Sequence, residues 1–272
     1  MPIDAGPAPA SAFQARDAAA YERLMGRWSR RLAPLLVRFG GLSDGDEVLD
    51  VGCGTGSLTF TLPEIADIAR AVGVDQAAIY VEHSRSRSGD ARMTFEQADA
   101  CALPFENASF DRVFCQLVLQ FIADGEQAVA EMCRVTRPGG TVTAAVWDSF
   151  SGLPHNRMLW DAAAVLDPTA KAPRALLRPL TAPGELAELW LKLGFHDVEQ
   201  TSLLIRMEFG SFDDYWEPFT TGEGPTGKFV ADLPDALRAT LREHVRRAYL
   251  ANRADGPRSF ASVAWACRGS AP

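Results

Sequence analysis

The 272-residue sequence predicts an α/β fold in which helices pack on both faces of a mostly parallel sheet. Three observations support this fold class. Short apolar segments alternate with helix-compatible segments over residues 47–147. The first apolar strand, 47–51, runs into a turn with glycine at every second position. The sequence Arg-Pro-Gly-Gly at 137–140 stops a helical pattern ahead of another strand. Strands that alternate with helices at these lengths form parallel sheets with crossover helices.

The individual elements follow from their hydrophobic patterns. Apolar residues recur at three- and four-residue steps from Ala18 to Phe39, which predicts a helix that stops at Gly40-Gly41. The expected strands are 47–51, 71–74, 91–97, 110–117 and 141–147, with a helix over 125–135. After residue 150, helical patterns at 151–195 and 213–252 alternate with strand patterns at 196–209 and 259–268.

Composition and charge argue against several functional classes. A formal net charge of −8 disfavours binding to a nucleic-acid backbone, which attracts basic surfaces. No apolar run reaches the ~18 residues of a membrane span, and the Ala- and Pro-rich segment 1–17 predicts a disordered tail rather than a signal peptide. The five cysteines form no C-x-x-C pair, which suits a reducing cytoplasm. The four histidines lack the spacing of metal ligands, so we expect no metal.

The glycine turn predicts a ligand site. Gly52, Gly54 and Gly56 remove every side chain from the bend, so that a ligand can lie against its backbone N–H groups. The next strand ends in Asp75, at about the 20-residue distance where an acid reaches a ribose in nucleotide-binding folds. Two structural alternatives stay open: a glycine turn that holds no ligand, and an aspartate that caps the following helix.

Two nucleotide-type ligands fit this turn. A dinucleotide site has the fingerprint G-x-G-x-x-G, but the sixth position here is Ser57. The sequence instead reads G-x-G-x-G, and Asp50 stands two residues before it. A carboxylate at that position suits a ligand with a cationic amine, such as S-adenosylmethionine (SAM). The residues therefore favour SAM and leave a nicotinamide dinucleotide as the alternative.

Four segments of the chain resemble the successive motifs of one protein family. Residues 47–58, 71–76, 95–121 and 134–147 are similar to the class I SAM-dependent methyltransferases of the small-molecule type, related to quinone- and biotin-pathway enzymes. The resemblance implies a Rossmann-like, doubly wound, seven-stranded sheet with an antiparallel last strand and helical lid insertions. In that interpretation, residues 18–272 form one domain. Residues 18–150 are its SAM-binding core, and 151–193 and 211–257 are lid segments over the substrate.

The resemblance also implies cofactor contacts. It places Asp75 on the ribose with Gln76 beside the adenine, and Asp99 on the adenine amino group; a turn-forming role is the alternative for Asp99. At the end of the fourth strand, backbone groups and the Gln116 side chain would meet the methionine end of SAM. The expected cofactor-binding residues from the glycine turn to that strand are Asp50, Gly52, Cys53, Gly54, Gly56, Asp75, Gln76, Asp99, Ala100, Cys101, Cys115 and Gln116.

The first helix carries a further candidate contact surface. Tyr21, Met25 and Trp28 share one face, which core packing alone explains. However, residues 21–30 also resemble a segment that covers SAM in one branch of the family. In that interpretation, Gly26 breaks the helix and frees Arg30 to meet the SAM carboxylate.

The expected function is therefore transfer of the SAM methyl group to an O, N or C nucleophile of a small molecule, with S-adenosylhomocysteine as product. The lid segments carry the aromatic residues Phe150, Trp160, Tyr215, Trp216 and Phe219. They either line a pocket for an apolar or aromatic acceptor or form a small core of the lid itself. His155 is the candidate catalytic base, with a structural role as its alternative. Competing hypotheses are an NAD(P)-dependent oxidoreductase, a non-catalytic SAM-binding module and a SAM enzyme with other chemistry. We expect a cytoplasmic monomer or homodimer that binds neither nucleic acid nor membrane.

Overall fold

A computed structural model describes residues 13, 15–166 and 178–272, and a seven-stranded sheet forms its centre. The strand order is β3-β2-β1-β4-β5-β7-β6. Strands β1 to β5 are mutually parallel, whereas β7 is antiparallel to both of its neighbours, β5 and β6. The strands are β1 (Glu47–Val51), β2 (Arg70–Asp75), β3 (Met93–Gln97), β4 (Phe110–Gln116), β5 (Thr136–Trp147), β6 (His196–Phe209) and β7 (Arg258–Ser270). The predicted fold class, including the antiparallel last strand, is confirmed.

Helices cover both faces of this sheet. Within the described residues they are α1 (Ala18–Tyr21), α2 (Arg27–Phe39), α3 (Leu62–Ile65), α4 (Ala78–Arg87), α5 (Gly125–Val135), α6 (Pro154–Leu166), α7 (Glu185–Lys192), α8 (Phe212–Trp216), α9 (Gly224–Asp232) and α10 (Asp235–Leu250). Buried side chains of α2, α6, α8 and α10 form one core cluster with the sheet, and those of α5 and α7 form another.

The first helix is not broken at Gly26, contrary to expectation. A π-helical turn, Glu22–Gly26, connects α1 directly to α2. The carboxyl group of Glu22 folds back over this turn, and a Cβ atom on residue 26 would lie 2.6 Å from it. Glycine at this position therefore makes room for the Glu22 side chain, and the chain stays helical.

Residues 137–140, predicted to separate a helix from the fifth strand, lie inside that strand instead. Strand β5 begins at Thr136, whose Cα pairs with Phe110, and the register then shifts between Phe110 and Arg112. At Gly140 a Cβ atom would lie 2.7 Å from the carbonyl oxygen of Asp111. The Pro-Gly-Gly sequence thus forms an irregularity inside a longer strand, where the two backbones approach closely.

Part of the expected lid belongs to the body of the fold instead. Helix α7, inside the predicted segment 151–193, packs on the sheet rather than over a cavity. The side chain of Trp190 is fully buried, and its indole N–H donates to the carbonyl oxygen of Val142 at 3.1 Å. The prediction for residues 167–177 lies outside the described residues.

The end of the predicted disordered tail is ordered. Asp17 caps α1, because its Oδ1 accepts hydrogen bonds from the N–H groups of Ala19 and Ala20 at 2.7 and 3.2 Å. The backbone N–H groups of Arg16 and Asp17 each donate to Oε2 of Glu223 at 3.1 Å. Buried Glu223 thus anchors this segment. Residues 1–12 and 14, also assigned to the tail, lie outside the described residues.

Candidate functional site

The glycine turn after β1 is held against β2 by its own backbone. The N–H groups of Gly52 and Cys53 both donate to the carbonyl oxygen of Val74, at 2.7 and 2.9 Å. Gly52 has a φ of +75°, and a Cβ atom there would lie 2.4 Å from the Val118 side chain. Both the left-handed backbone and the lack of space therefore require glycine at this position.

Asp75 at the end of β2 is tied to the same turn. Its Oδ2 accepts a hydrogen bond from the N–H of Gly54 at 2.9 Å, and its Oδ1 accepts one from the N–H of Ala77 at 2.8 Å. Burial raises the pKa of Asp75, and these two hydrogen bonds oppose that effect. Each carboxylate oxygen keeps a further lone pair, so the group can also accept two ligand hydroxyls.

One cavity of about 430 Å³ extends from this turn across the carboxyl ends of the strands. This volume lies within the usual range for small-molecule sites, and the position matches the rule for ligands of open α/β sheets, because the strand order reverses between β1 and β4. Of the predicted site residues, those that line the cavity are Tyr21, Met25, Trp28, Gly52, Gly54, Asp75, Gln76, Asp99, Ala100, Gln116 and His155.

A small polar recess of about 10 Å³ lies beside the glycine turn, and Asp50 and Cys53 line it. Oδ2 of Asp50 accepts hydrogen bonds from the N–H and the hydroxyl of Thr59, at 3.1 and 2.6 Å. Burial nevertheless raises the pKa of Asp50 to about 7. Three other atoms at the recess are buried without hydrogen-bond partners among the described residues: Ser29 Oγ, Ser57 Oγ and Gln116 Oε1. The recess can therefore receive a compact polar group.

Four predicted residues do not line either space. Arg30 forms an ion pair with Glu22, whose carboxylate also accepts a hydrogen bond from the Thr55 hydroxyl. Gly56 packs against the ring of Phe60. The Cys115 side chain is fully buried among apolar residues in β4, and Cys101 lies beside Asp124 at the surface. The structure therefore does not bring Arg30, Gly56, Cys101 or Cys115 to the cavity.

Three residues that line the cavity were not predicted from the sequence: Phe13, Tyr80 and Glu223. Tyr80 in α4 donates its hydroxyl hydrogen to Glu223, which precedes α9. The Tyr80 ring lies 5.0 Å from that of Tyr21, and Phe13 packs edge-on to Tyr21 at 6.1 Å. All four residues line the cavity. No local pattern marks Phe13, Tyr80 or Glu223, because these residues meet only when α4, the N-terminal segment and the lid fold together.

The other half of the cavity is aromatic. Its walls come from α2, the end of β5, α6, the end of β6 and residues 215–219, and they include Trp28, Trp147, Trp160, Phe209, Tyr215 and Phe219. Trp160, Tyr215 and Phe219 were expected here, whereas Phe150 is 71% exposed and does not line the cavity, and Trp216 packs into the core. The lid segments thus contribute an apolar wall.

His155 lies within this aromatic half. Burial and the nearby positive charge of Arg27 lower its pKa to about 3, so the imidazole is neutral at physiological pH. Its Nδ1 has no hydrogen-bond partner among the described residues, and its backbone carbonyl accepts a hydrogen bond from the Tyr215 hydroxyl at 2.8 Å. The ring can exchange hydrogen bonds with a ligand, but burial makes it a weak base.

The cavity lies at the carboxyl ends of the strands, where open α/β sheets bind their ligands. Comparison with known proteins agrees with a ligand site there, because residues 49–144 match the model of a family described as a methyltransferase domain. Over this segment the chain is therefore similar to methyltransferase domains.

Sequence relatives support this assignment. An O-methyltransferase of Penicillium expansum is 32% identical over 165 residues, which are 59% of this chain and 56% of that protein. A demethylmenaquinone methyltransferase of Deinococcus radiodurans is 40% identical over 95 residues, 34% of this chain and 39% of that protein. The chain thus spans less than two thirds of the curated relatives it matches.

The fold has solved counterparts. The structure of Haemonchus contortus phosphoethanolamine N-methyltransferase 2 in complex with S-adenosyl-L-methionine superposes with a TM-score of 0.59 at 20% identity, over 94% of this chain and 56% of that one. The likeness establishes the fold. No described helix has the length and apolar character that crossing a bilayer needs, and no described cluster of side chains could hold a metal ion.

Proposed function

We propose that this protein is a methyltransferase that transfers the methyl group of SAM to an O, N or C nucleophile of a small molecule and releases S-adenosylhomocysteine. One observation carries the proposal. A single cavity joins the glycine turn and the strand-end residues Asp75, Asp99 and Gln116 to an aromatic wall from the lid segments. A cofactor and an acceptor can therefore lie side by side, as direct group transfer requires.

The residues at the turn fit SAM. The Asp75 carboxylate, oriented by the N–H groups of Gly54 and Ala77, would accept the two ribose hydroxyls. Asp99 and Ala100 would contact the adenine at the end of the next strand. The recess with Asp50 and the unpartnered oxygens of Ser29, Ser57 and Gln116 has room for one compact group and would hold the cationic amino group of SAM. When bound, SAM supplies a methyl group on a sulfonium that leaves as a neutral thioether.

The tasks left to the chain are alignment and exclusion of water. The aromatic residues of the lid and Phe13 line the cavity. Hydrogen bonds to Glu223 connect the lid to the N-terminal segment and to α4. A base is needed only when the acceptor must lose a proton. A base role for His155 stays a prediction, and its pKa of about 3 favours a hydrogen-bonding role instead.

The competing functions fit less well. A nicotinamide dinucleotide would require glycine where Ser57 stands, and the matched family model is that of a methyltransferase domain. A non-catalytic SAM-binding module needs no space beneath the lid, yet Trp160, Tyr215 and Phe219 line a cavity there. We further infer a small-molecule acceptor, a cytoplasmic location and a monomer or homodimer; the acidic net charge argues against nucleic acid.

Calorimetric titration of the purified protein with SAM, S-adenosylhomocysteine and NADPH tests the cofactor directly. We expect binding of the first two ligands and none of the third, and binding of NADPH alone would contradict the proposal. Incubation with methyl-labelled SAM and a metabolite extract then tests for turnover. A labelled small molecule is expected, and persistent absence of any labelled product from a protein that binds SAM would favour a binding module.

A further inference from the structure

Two buried hydrogen-bond donors in the aromatic half of the cavity have no partner. They are Nε of Arg27 and Nε1 of Trp147, and both residues line the cavity. Each atom can donate a hydrogen bond but cannot accept one. Buried donors that stay unpaired are costly, so native sites usually provide their partners. Because the described residues offer none, a ligand with acceptor atoms completes the pair.

The Arg27 guanidinium is held in a fixed orientation. Its Nη1 donates to Oδ1 of Asp214 at 2.8 Å, and its Nη2 donates to the Asp214 carbonyl oxygen at 3.2 Å. The guanidinium carbon lies 4.4 Å from the centre of the Trp28 ring and 5.0 Å from that of Phe209. These contacts involve Nη1, Nη2 and the rings of Trp28 and Phe209. The Nε–H group is therefore the donor of Arg27 that has no partner among the described residues.

The charges around the cavity favour an anion over an amine in this half. The carboxylates that line the cavity are Asp75, Asp99 and Glu223. Asp75 and Asp99 accept backbone N–H groups at the strand ends, and Glu223 accepts those of Arg16 and Asp17 together with the Tyr80 hydroxyl. On the aromatic side, the charged residue that lines the cavity is Arg27; Asp214, which pairs with its Nη1, does not line the cavity. The Arg27 guanidinium already occupies ring faces that would otherwise attract an ammonium group.

The remaining titratable groups of the cavity agree with this reading. Neutral His155 adds no charge, and the Tyr215 hydroxyl donates to the backbone carbonyl of His155. The guanidinium of Arg178 lies over the ring of Phe121, which packs against Phe13 near the cofactor side. Flat aromatic walls provide the complementary shape for a planar ligand.

On the basis of the function proposed above, we propose that the methyl acceptor is a planar hydroxy-aromatic molecule, bound as its oxyanion to the Nε–H of Arg27 and the Nε1–H of Trp147. The acceptor hydroxyl loses its proton to solvent as it binds. An electron pair of the resulting phenolate then forms the bond to the methyl carbon, the carbon–sulfur bond breaks, and its electrons stay on sulfur. The products are the neutral methylated acceptor and S-adenosylhomocysteine.

The ionisation state of a bound phenol tests this assignment without turnover. The protein, saturated with S-adenosylhomocysteine, is titrated with 4-nitrophenol and with 7-hydroxycoumarin, whose absorption spectra distinguish the phenol from the phenolate. Repeating the titration over a range of pH gives the pKa of each bound probe. A cation at close range lowers the pKa of an acid by about 1–3 units, and we expect a shift of that size.

Matched variants assign the shift to Arg27. Arg27→Gln combined with Asp214→Asn removes both members of the ion pair, so that no carboxylate is left without its partner. The double variant should lose most of the shift, because the oxyanion loses the Nε–H donor and the guanidinium beside it. Arg31→Gln is the control, because Arg31 lies on the same helix and also near Trp28, at 5.3 Å, but pairs with Glu208 and does not line the cavity. Trp147→Phe should weaken the shift while keeping the aromatic wall.

The outcomes separate this inference from the proposed function. It is overturned if neither phenol binds to protein that binds S-adenosylhomocysteine, if bound phenols keep their solution pKa, or if 7-aminocoumarin binds as tightly as its hydroxy counterpart. Failure to bind S-adenosylhomocysteine at all would instead contradict the proposed function.

Discussion

Buried Glu223 accepts the hydroxyl hydrogen of Tyr80, and this single bond joins the lid to the helix that follows β2. The same carboxylate accepts the backbone N–H groups of Arg16 and Asp17. The N-terminal segment, α4 and the lid thus meet at one acceptor, which lines the same cavity as Asp75. Stability of the closed cavity should depend on this group.

The first prediction concerns Glu223→Ala. Removal of the carboxylate takes the acceptor away from the buried Tyr80 hydroxyl and from the partly buried N–H groups of Arg16 and Asp17, and the free energy of unfolding should fall by roughly 1–3 kcal/mol. Thermal unfolding with and without SAM measures the effect. SAM should stabilise the variant less than the parent protein, because the cover over the site is loosened. The control is Glu217→Ala, which removes an exposed glutamate six positions earlier in the same lid segment and should behave like the parent.

The second prediction concerns Asp75→Ala. Loss of a charge-assisted hydrogen-bond acceptor should weaken SAM binding by about 1.5–3 kcal/mol, measured by calorimetry. Asp67→Ala removes an exposed aspartate that pairs with Arg92 and should leave SAM affinity unchanged. Unaltered affinity in the Asp75 variant would show that the carboxylate only orders the glycine turn.

The third prediction separates backbone strain from crowding at Gly52. Gly45, which lies before β1 and also has a positive φ, is the uncrowded comparison. Gly45→Ala places a side chain in a left-handed conformation with open space around it, so it should cost only the roughly 1–2 kcal/mol of that conformation. Gly52→Ala adds a collision with Val118 and should cost more. Adding Val118→Ala to Gly52→Ala should recover part of that excess in denaturant unfolding. No recovery would mean that Val118 is not what limits space there.

The fourth prediction concerns pH. The pKa of Asp50 is about 7 in the folded protein, well above the ordinary value near 4, so folding favours its protonated form. Its contribution to stability is therefore present below about pH 4 and is lost as the pH rises to 7. SAM has a cationic amine, so its binding should strengthen as the pH rises through 7 and Asp50 ionises.

Asp50→Asn is the variant that checks this pH dependence. Calorimetry between pH 6 and 8 should show SAM affinity rising in the parent protein and a flatter profile in the variant. Equal slopes in the two proteins would exclude Asp50 as the titrating group.

The fifth prediction concerns His155→Gln. Because the imidazole is buried and its pKa is about 3, we expect turnover to fall less than tenfold and SAM affinity to stay the same. The pH profile of kcat should show no inflection from this residue between pH 5 and 9. A loss of 10² or more, as is usual for a removed general base, would restore the catalytic role predicted from the sequence.

Much of the fold and half of the site were accessible from sequence because their signals are local. The strand before Gly52, the positions of Asp75 and Asp99 at strand ends and the spacing of Tyr21, Met25 and Trp28 can each be read within one element. Glu223 and Tyr80 could not be found in this way, since 143 positions separate them and neither belongs to a motif. Arg30 was misplaced because Glu22 holds it in an ion pair, and Glu22 is itself bound by the hydroxyl of Thr55 from the glycine turn, a contact between distant parts of the sequence.

The π-helical turn at Glu22–Gly26 has a consequence for how this scaffold can tolerate length changes. Such a turn holds one residue more than an α-helical turn. Deleting one residue from it would give an uninterrupted α-helix and leave the segments on either side in nearly the same orientation, so Tyr21 and Arg27 would still face the same cavity. The same deletion within the regular turns of α2 would instead rotate one side relative to the other by about 100°. The N-terminal segment can therefore lose one residue at this turn, and nowhere else in the helix, without changing which side chains face the ligand.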